Sequence, residues 1–253
     1  RKEKPEVLFS KGGYLSVPVV FAAHCLKIRI LTHESDSTLG LATRLNAKVA
    51  DKVLLGFNLP IVDNRKYFYT GNPIRAQIVN AESCETFKNL ILVLGGSQGA
   101  KEINELVTAS LEELTKLGFV YHQTGALWDK KIKCNNYYQT EFISKEFGSL
   151  LKSAKVVITR SGAGAISEAI YCKIPMILIP LGTKASRGDQ ILNAEFVDKN
   201  KMGFYLEDKT QLVDLVEKLV LDTSYYLKVK AEFEKIKITP STKLISDYIL
   251  ERK

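Results

Sequence analysis

Short apolar runs rich in β-branched residues alternate with longer amphipathic stretches along most of the chain. The short runs are predicted to be strands, and they lie at residues 6–9, 27–32, 52–57, 89–96, 155–160 and 176–181. The stretches between them are predicted to be helices, at 16–26, 38–50, 100–114 and 164–172. Apolar strands separated by helices form a parallel sheet that is covered on both faces. The pattern therefore predicts an α/β fold of the doubly wound kind.

The periodic pattern breaks between residues 70 and 89, and we expect a linker there. The break predicts two Rossmann-like doubly wound domains, at residues 1–78 and 79–253, and the last helix is a candidate for crossing back to the first domain. Only about 75 residues precede the break, whereas such a domain usually has roughly 100–150. We therefore expect the N-terminal domain to be truncated.

Composition and charge limit the kinds of partner that this chain is expected to bind. The chain has 253 residues, 45% of them hydrophobic, and no apolar run reaches the roughly 18 residues that span a bilayer. Its formal net charge is +8, and residues 1–80 contain 12 Lys and Arg against 6 Asp and Glu. This basic first part indicates either a surface for an anionic partner or an ordinary solvated face.

A glycine turn joins the predicted strand at 89–96 to the next helix, in the sequence LVLGGSQGAKEIN (92–104). Gly95 and Gly96 permit a tight turn, and Ser97 adds a hydroxyl donor. The backbone N–H groups at the start of the helix favour an anion such as a pyrophosphate. The alternative is a plain strand-to-helix turn of an α/β fold.

A second glycine turn, in ITRSGAGAISEAI (158–170), is followed by one carboxylate, Glu168. A carboxylate near a helix start, at the mouth of a nucleotide cleft, can accept hydrogen bonds from both ribose hydroxyls. The alternative is stabilisation of the helix dipole by an acid.

Two amides lie close together in ASRGDQILNAEF (185–196). Gln190 and Asn193 share one helix face at spacing i, i+3, and their mixed donors and acceptors suit sugar hydroxyls. The alternative is a polar helix surface with Asp189 as its N-cap.

Two polar segments, KGGYLSVP (11–18) and LTHESDSTLG (31–40), follow predicted strands, where open α/β sheets bind ligands. The second holds His33, Glu34 and Asp36. Asp36 belongs either to such a site or to the N-cap of the next helix. The two acids could suggest a metal, but no further ligand accompanies them, so we expect no metal and no cofactor.

Seven segments together resemble the MurG family, the bacterial transferases that move N-acetylglucosamine from UDP onto undecaprenyl-pyrophosphoryl-muramoyl-pentapeptide. They are, in chain order, KGGYLSVP, HESDSTLGLATRLNAKVAD, GNPIR, LGGSQGAKEIN, EFI, TRSGAGAISE and DQILNAEF. The resemblance implies a GT-B fold, with the donor bound by the C-terminal domain. The acceptor and the membrane would contact the N-terminal domain.

The resemblance implies specific donor contacts for four residues. Ser97 would contact the diphosphate, and Arg75 would reach the donor phosphate or sugar from the linker. The backbone of Ile143 would read uracil, and Glu168 would bind the ribose hydroxyls.

It also implies contacts at the two sugars. Gln190 and Asn193 would read the hydroxyls of N-acetylglucosamine. The residues implied on the acceptor side are Tyr14, His33, Glu34 and Asp36.

The chain departs from the family pattern at three places. It contains no GGTGGH loop, so the family's proposed catalytic histidine has no counterpart and the catalytic base is not assigned. Asp36 stands where the common pattern has Asn. ASRGDQ replaces the more usual DDHQ, which brings Arg187 near the implied sugar site. The last two bear on acceptor and donor preference.

The resemblance implies an inverting, metal-independent transfer from UDP-GlcNAc to a polyprenyl-pyrophosphate-linked acceptor. It would act at the cytoplasmic face of the bacterial membrane, as a peripheral enzyme on an anionic surface and without a nucleic-acid partner. Two alternatives stay open. One is a diacylglycerol hexosyltransferase of the same fold, and the other is a donor-binding subunit without catalysis of its own.

Overall fold

The computed structural model describes residues 3–60, 65–84, 86–181, 188–236 and 241–250. The chain divides into two compact units. Unit 1 comprises Arg1–Ile74 with Ile238–Lys253, and unit 2 comprises Arg75–Lys237. Each unit has a parallel sheet of its own, so the predicted α/β fold class is confirmed.

Unit 1 has a four-stranded parallel sheet whose strands follow one another in chain order. Its strands are β1 (Val7–Ser10), β2 (Arg29–Glu34), β3 (Lys52–Leu55) and β4 (Tyr67–Tyr69). Its helices are α1 (Ser16–Cys25), α2 (Leu41–Asn46) and α11 (Ser241–Ile249). The predicted helix at 38–50 is shorter than expected, because turns follow Asn46. Strand β4 was not predicted.

Strand β2 is covered on both faces, as parallel strands usually are. Successive side chains of a strand point to opposite faces. Ile30 packs with Val20 and Ala23 of α1, whereas Leu31 packs with Ile245 of α11. The last helix of the chain therefore completes the apolar core of unit 1.

Unit 2 has a six-stranded parallel sheet in the order β10-β9-β8-β5-β6-β7. Its strands are β5 (Ile91–Leu94), β6 (Val120–Gln123), β7 (Tyr137–Thr140), β8 (Val156–Thr159), β9 (Met176–Leu178) and β10 (Gly203–Tyr205). The chain runs outward from β5 to β7 and then resumes at β8 on the other side of β5. The topological switch point of this doubly wound sheet is therefore between β5 and β8.

Helices cover the sheet of unit 2 on both sides. They are α3 (Ala76–Val79), α4 (Lys101–Ala109), α5 (Leu111–Leu117), α6 (Phe147–Ser153), α7 (Ala163–Cys172), α8 (Asp189–Lys199), α9 (Leu212–Leu221) and α10 (Thr223–Glu234). The predicted helix at 100–114 is two helices that meet at Ser110. Within the described ranges, no helix is long and apolar enough to cross a membrane.

Candidate functional site

A cavity of about 260 Å³ lies at the switch point of unit 2, beyond the carboxyl ends of β5, β6 and β8. Open α/β sheets bind their ligands at this place. The lining includes four residues that the sequence singled out, and these are Arg75, Ser97, Ile143 and Glu168. The fold thus gathers four separate sequence segments around one cavity.

The glycine turn after β5 forms one wall of the cavity. Gly96 and Gly99 have φ of +76° and +90°, a region that favours glycine. A Cβ at Gly99 would lie 2.6 Å from the carbonyl oxygen of Thr124, so the turn packs closely on the segment after β6. This turn carries Ser97 into the cavity wall just before α4 begins.

Arg75 and Glu168 form a bidentate ion pair on another wall. Nε of Arg75 donates to Oε1 of Glu168 at 2.6 Å, and Nη2 donates to Oε2 at 2.8 Å. The guanidinium also lies over the ring of Phe147, 4.2 Å from its centroid. The hydrogen bond to Glu168 raises the pKa of Arg75. Bidentate pairs of this kind fix geometry as well as charge.

The helix-dipole explanation for Glu168 does not fit the structure. Helix α7 begins at Ala163, and its first turn contains no acidic residue, whereas the dipole effect falls off within that turn. Glu168 is instead buried, with 7% of its surface exposed. Each carboxylate oxygen has two lone pairs, so the arginine leaves room for ribose hydroxyls, and ribose binding stays a prediction.

The backbone of Ile143 is held by a residue that the sequence reasoning missed. Oε1 of Gln123 accepts a hydrogen bond from the Ile143 N–H at 3.0 Å, and both residues line the cavity. Gln123 is the last residue of β6. The sequence analysis predicted no strand at 120–123, so the strand-end rule that selected the glycine turns was not applied there. Reading of uracil by Ile143 stays a prediction.

The two predicted sugar-reading amides are tied to the ends of neighbouring strands. Oε1 of Gln190 accepts from the Leu181 N–H at 3.1 Å, and Nδ2 of Asn193 donates to the Ser161 carbonyl at 3.1 Å. Neither lines the 260 Å³ cavity. Their role at the sugar stays a prediction.

Two further expectations concern the start of α8. The N-cap of this helix is Gly188, so the expectation that Asp189 caps it is wrong. Asp189 is the first helical residue instead. Arg187, expected near the sugar, lies outside the described residues.

In unit 1, His33 at the end of β2 is fully buried and linked on both ring nitrogens. Nε2 lies 3.1 Å from the Gly71 carbonyl, and Nδ1 lies 2.9 Å from Nζ of Lys11. A carbonyl can only accept, so Nε2 carries the proton and Nδ1 accepts from the ammonium. Burial and the charge of Lys11 lower the pKa of His33 to about 4. The imidazole is therefore neutral at pH 7.

Glu34 organises the loop between β2 and α2. Its Oε1 accepts from the N–H groups of Ser35 and Asp36, and its Oε2 accepts from the N–H of Gly40. The N-cap of α2 is Gly40, so the alternative in which Asp36 caps that helix is wrong. Tyr14 is exposed. The acceptor-side roles of these residues stay predictions.

Family models and curated relatives match this chain over most of its length. The description "Glycosyltransferase family 28 C-terminal domain" matches residues 90–246, and "Glycosyltransferase family 28 N-terminal domain" matches residues 1–55. A Clostridium kluyveri protein is 41% identical over 88% of this chain and 65% of its own length. A Staphylococcus carnosus protein is 40% identical over 87% of this chain and 64% of its own length. Both are named UDP-N-acetylglucosamine--N-acetylmuramyl-(pentapeptide) pyrophosphoryl-undecaprenol N-acetylglucosamine transferase. The chain spans just under two thirds of these relatives.

Solved structures share the fold. MurG of Acinetobacter baumannii matches with a TM-score of 0.75 and 22% identity, over 97% of this chain and 73% of that one. The glycotransferase of kitacinnamycin matches with a TM-score of 0.77 and 16% identity, over 99% of this chain and 76% of that one. At these identities the likeness concerns the fold alone.

Proposed function

We propose, from the premise that this chain belongs to glycosyltransferase family 28, that it works in the transfer of N-acetylglucosamine from UDP-GlcNAc to a polyprenyl-pyrophosphate-linked muramoyl-pentapeptide. The observation that carries the proposal is the cavity at the switch point of unit 2. This cavity is lined by four residues that the resemblance names for donor binding, and each comes from a different segment of the sequence. The names of the curated relatives supply the donor and the acceptor.

The cavity suits a uridine nucleotide for physical reasons. Phe142 is 54% exposed and lines the cavity, so its ring offers an apolar surface for a base. The Arg75–Glu168 pair offers carboxylate oxygens and a guanidinium to a ribose and its phosphate. The glycine turn with Ser97 precedes the N-terminus of α4, which favours the diphosphate.

In the proposed reaction, a hydroxyl of the acceptor attacks the anomeric carbon of N-acetylglucosamine and gives its proton to a general base, to which we assign no residue. The bond from that carbon to the diphosphate oxygen breaks, and UDP leaves with the bonding electrons. Negative charge therefore grows on the diphosphate in the transition state. Donors aimed at that charge lower the barrier, and this is the role we propose for Ser97 and Arg75.

His33 is not arranged to be the base in this reaction. Its proton lies on Nε2 and is donated to the Gly71 carbonyl, and its Nδ1 lone pair accepts from Lys11. A base needs a lone pair that faces the acceptor hydroxyl. We propose instead that His33 and Glu34 shape the loops on the acceptor side.

Peripheral contact with an anionic membrane at the cytoplasmic face is the second part of the proposal. Leu15, Val19 and Leu26 lie at spacings of four and seven along α1 and its ends, and each is more than half exposed. This spacing places them on one side of the helix, whereas Val20 of the same helix is buried. Lys27 follows directly and is exposed. Apolar residues flanked by a cation suit the surface of an anionic bilayer.

Donor competition tests the transfer proposal. Calorimetric titration should give tighter binding of UDP-GlcNAc than of UDP-glucose or UDP-galactose. Labelled N-acetylglucosamine should then pass to a soluble lipid-pyrophosphate acceptor. Preference for UDP-glucose or UDP-galactose would favour the diacylglycerol alternative. Binding of UDP-GlcNAc with no transfer would favour the donor-binding subunit.

Vesicle flotation tests the membrane proposal. The chain should float with phosphatidylglycerol vesicles and less with phosphatidylcholine vesicles. Leu15→Ser with Val19→Ser should weaken flotation, whereas Leu227→Ser, at a residue of unit 2 that is 60% exposed, should not. Equal flotation of all three proteins would contradict the assignment to α1.

A further inference from the structure

Arg160 occupies a place at the switch point that the sequence analysis did not assign. Thr159, the last residue of β8, pairs with Leu94, the last residue of β5. Arg160 is therefore level with the start of the glycine turn that carries Ser97. Its side chain lines the 260 Å³ cavity and also a larger neighbouring cavity of about 690 Å³.

The position of Arg160 is fixed through one end of its guanidinium. Nη1 donates to Oε2 of Glu102 at 2.7 Å and to the carbonyls of Ile179 and Pro180 at 3.0 and 3.2 Å. The side chain is only 18% exposed. A guanidinium has five N–H groups in a rigid fork. Since these three contacts within the described residues all use Nη1, the other N–H groups are available to a ligand.

Glu102 does not cancel this positive charge. It lies in the first turn of α4, where a carboxylate would repel a bound anion. Nζ of Lys209 lies 2.5 Å from its other oxygen, so two cations share one carboxylate. Burial works against the ionised form, but hydrogen bonds from Lys209 and Arg160 outweigh it and lower the pKa of Glu102. This corner of the cavity therefore keeps a net positive charge.

We infer that Arg160 contacts the diphosphate of the nucleotide donor from the β8 side, across the switch point from Ser97, and that Glu102 holds it in place. This inference rests on the proposed function, because it takes a nucleoside diphosphate as the ligand. It adds a second arginine to the cavity beside Arg75. The leaving group is then contacted by residues that follow both central strands of the sheet.

Separate titrations with UDP and with uridine test the inference. Arg160→Met should weaken UDP binding about tenfold, the scale for a hydrogen bond to a charged group, and leave uridine binding unchanged. The matched control is Lys116→Met, which removes the same charge from the exposed pair with Glu112 on α5. It should bind both ligands like the unaltered chain.

A second variant serves if Arg160→Met does not fold. Glu102→Gln keeps an acceptor for Arg160 but removes the negative charge, so UDP should bind about threefold tighter and uridine equally well. Equal losses for UDP and uridine in Arg160→Met, or unchanged or weaker UDP binding in Glu102→Gln, would overturn the inference. Failure of the unaltered chain to bind UDP would instead contradict the proposed function.

Discussion

The strand ends of the two units use similar polar residues in different ways. At the end of β2 in unit 1, Glu34 accepts three backbone N–H groups and His33 is linked to Lys11 and Gly71. At the ends of β5 and β8 in unit 2, the polar side chains surround a cavity. The carboxylate of Glu168 is bound there to a guanidinium rather than to backbone.

This difference separates residues that shape loops from residues that can meet a ligand. A buried carboxylate that accepts three backbone N–H groups has little capacity left for a substrate. A carboxylate in a bidentate pair with arginine retains lone pairs at a cavity wall. We therefore propose that the cavity of unit 2 is the binding site, whereas Glu34 and His33 of unit 1 mainly hold loops in place.

The largest expected effect is on the stability of unit 1. Glu34→Ala should lower its free energy of unfolding by about 4 kcal/mol, because three hydrogen bonds to a charged acceptor are lost in a buried place. Urea denaturation measures this loss. The control is Glu6→Ala, at an exposed acid of the same unit, which should change stability by less than about 0.5 kcal/mol. A small loss for both variants would contradict the loop-holding role.

The next effect concerns ligand binding by unit 2. Glu168→Ala should weaken UDP binding by roughly 1.5–3 kcal/mol, the scale for hydrogen bonds to a charged group. Calorimetry with UDP and with 2′-deoxy-UDP separates two causes. If Glu168 reads the ribose, the unaltered chain prefers UDP and the variant does not. Equal losses for the two nucleotides would mean that Glu168 acts only through Arg75.

The MurG-family resemblance and the α/β fold class are confirmed. Both could be predicted from the sequence, because the resemblance rests on motifs in a fixed order and the fold class on long periodic runs. The strands that were missed, β4, β6, β7 and β10, have only three or four residues each. Strand β4 has three residues and β7 reads YYQT, which shows no clear apolar run. The sequence predicted helix α2 to be longer than it is, because the apolar spacing continues beyond the helix into turns that pack on the sheet.

Ser97 and Glu168, which line the cavity, were singled out because glycine turns and a lone carboxylate are conspicuous after apolar strands. Arg75 and Ile143 were named only from the family resemblance. Gln123 and Arg160 were missed because a single polar residue at a strand end looks like ordinary surface. Their places at the cavity depend on the strand order, which has β5 between β6 and β8. Neither spacing nor composition reveals that order.

Acid should weaken unit 1 through His33. Its pKa is lowered to about 4 in the folded chain, against about 6.5 when unfolded. Between these values the unfolded chain binds more protons, so stability is full above pH 6.5 and falls as pH drops toward 4. Between pH 7 and pH 5 the loss should be about 2 kcal/mol. His33→Gln should flatten this slope in urea denaturation at several pH values, and an unchanged slope would contradict the buried neutral state.

The smallest expected effect concerns the sugar. Gln190→Ala should weaken UDP-GlcNAc binding by about 1 kcal/mol, the scale for one hydrogen bond, and leave UDP binding unchanged. Calorimetry with the two ligands measures the difference. The control is Asn200→Ala, an exposed amide just after the same helix, which should change neither value. An equal loss of affinity for UDP-GlcNAc and UDP in Gln190→Ala would mean that the segment at Leu181 had moved.

The central claim is that unit 2 holds the donor nucleotide at its switch point. Hydrogen–deuterium exchange with and without UDP tests it most directly, because it locates the protected amides along the chain. We predict slower exchange around residues 95–99, 141–144 and 161–168, with little change at 33–40 in unit 1. Protection confined to residues 33–40, or no protection in unit 2 at saturating UDP, would contradict the account.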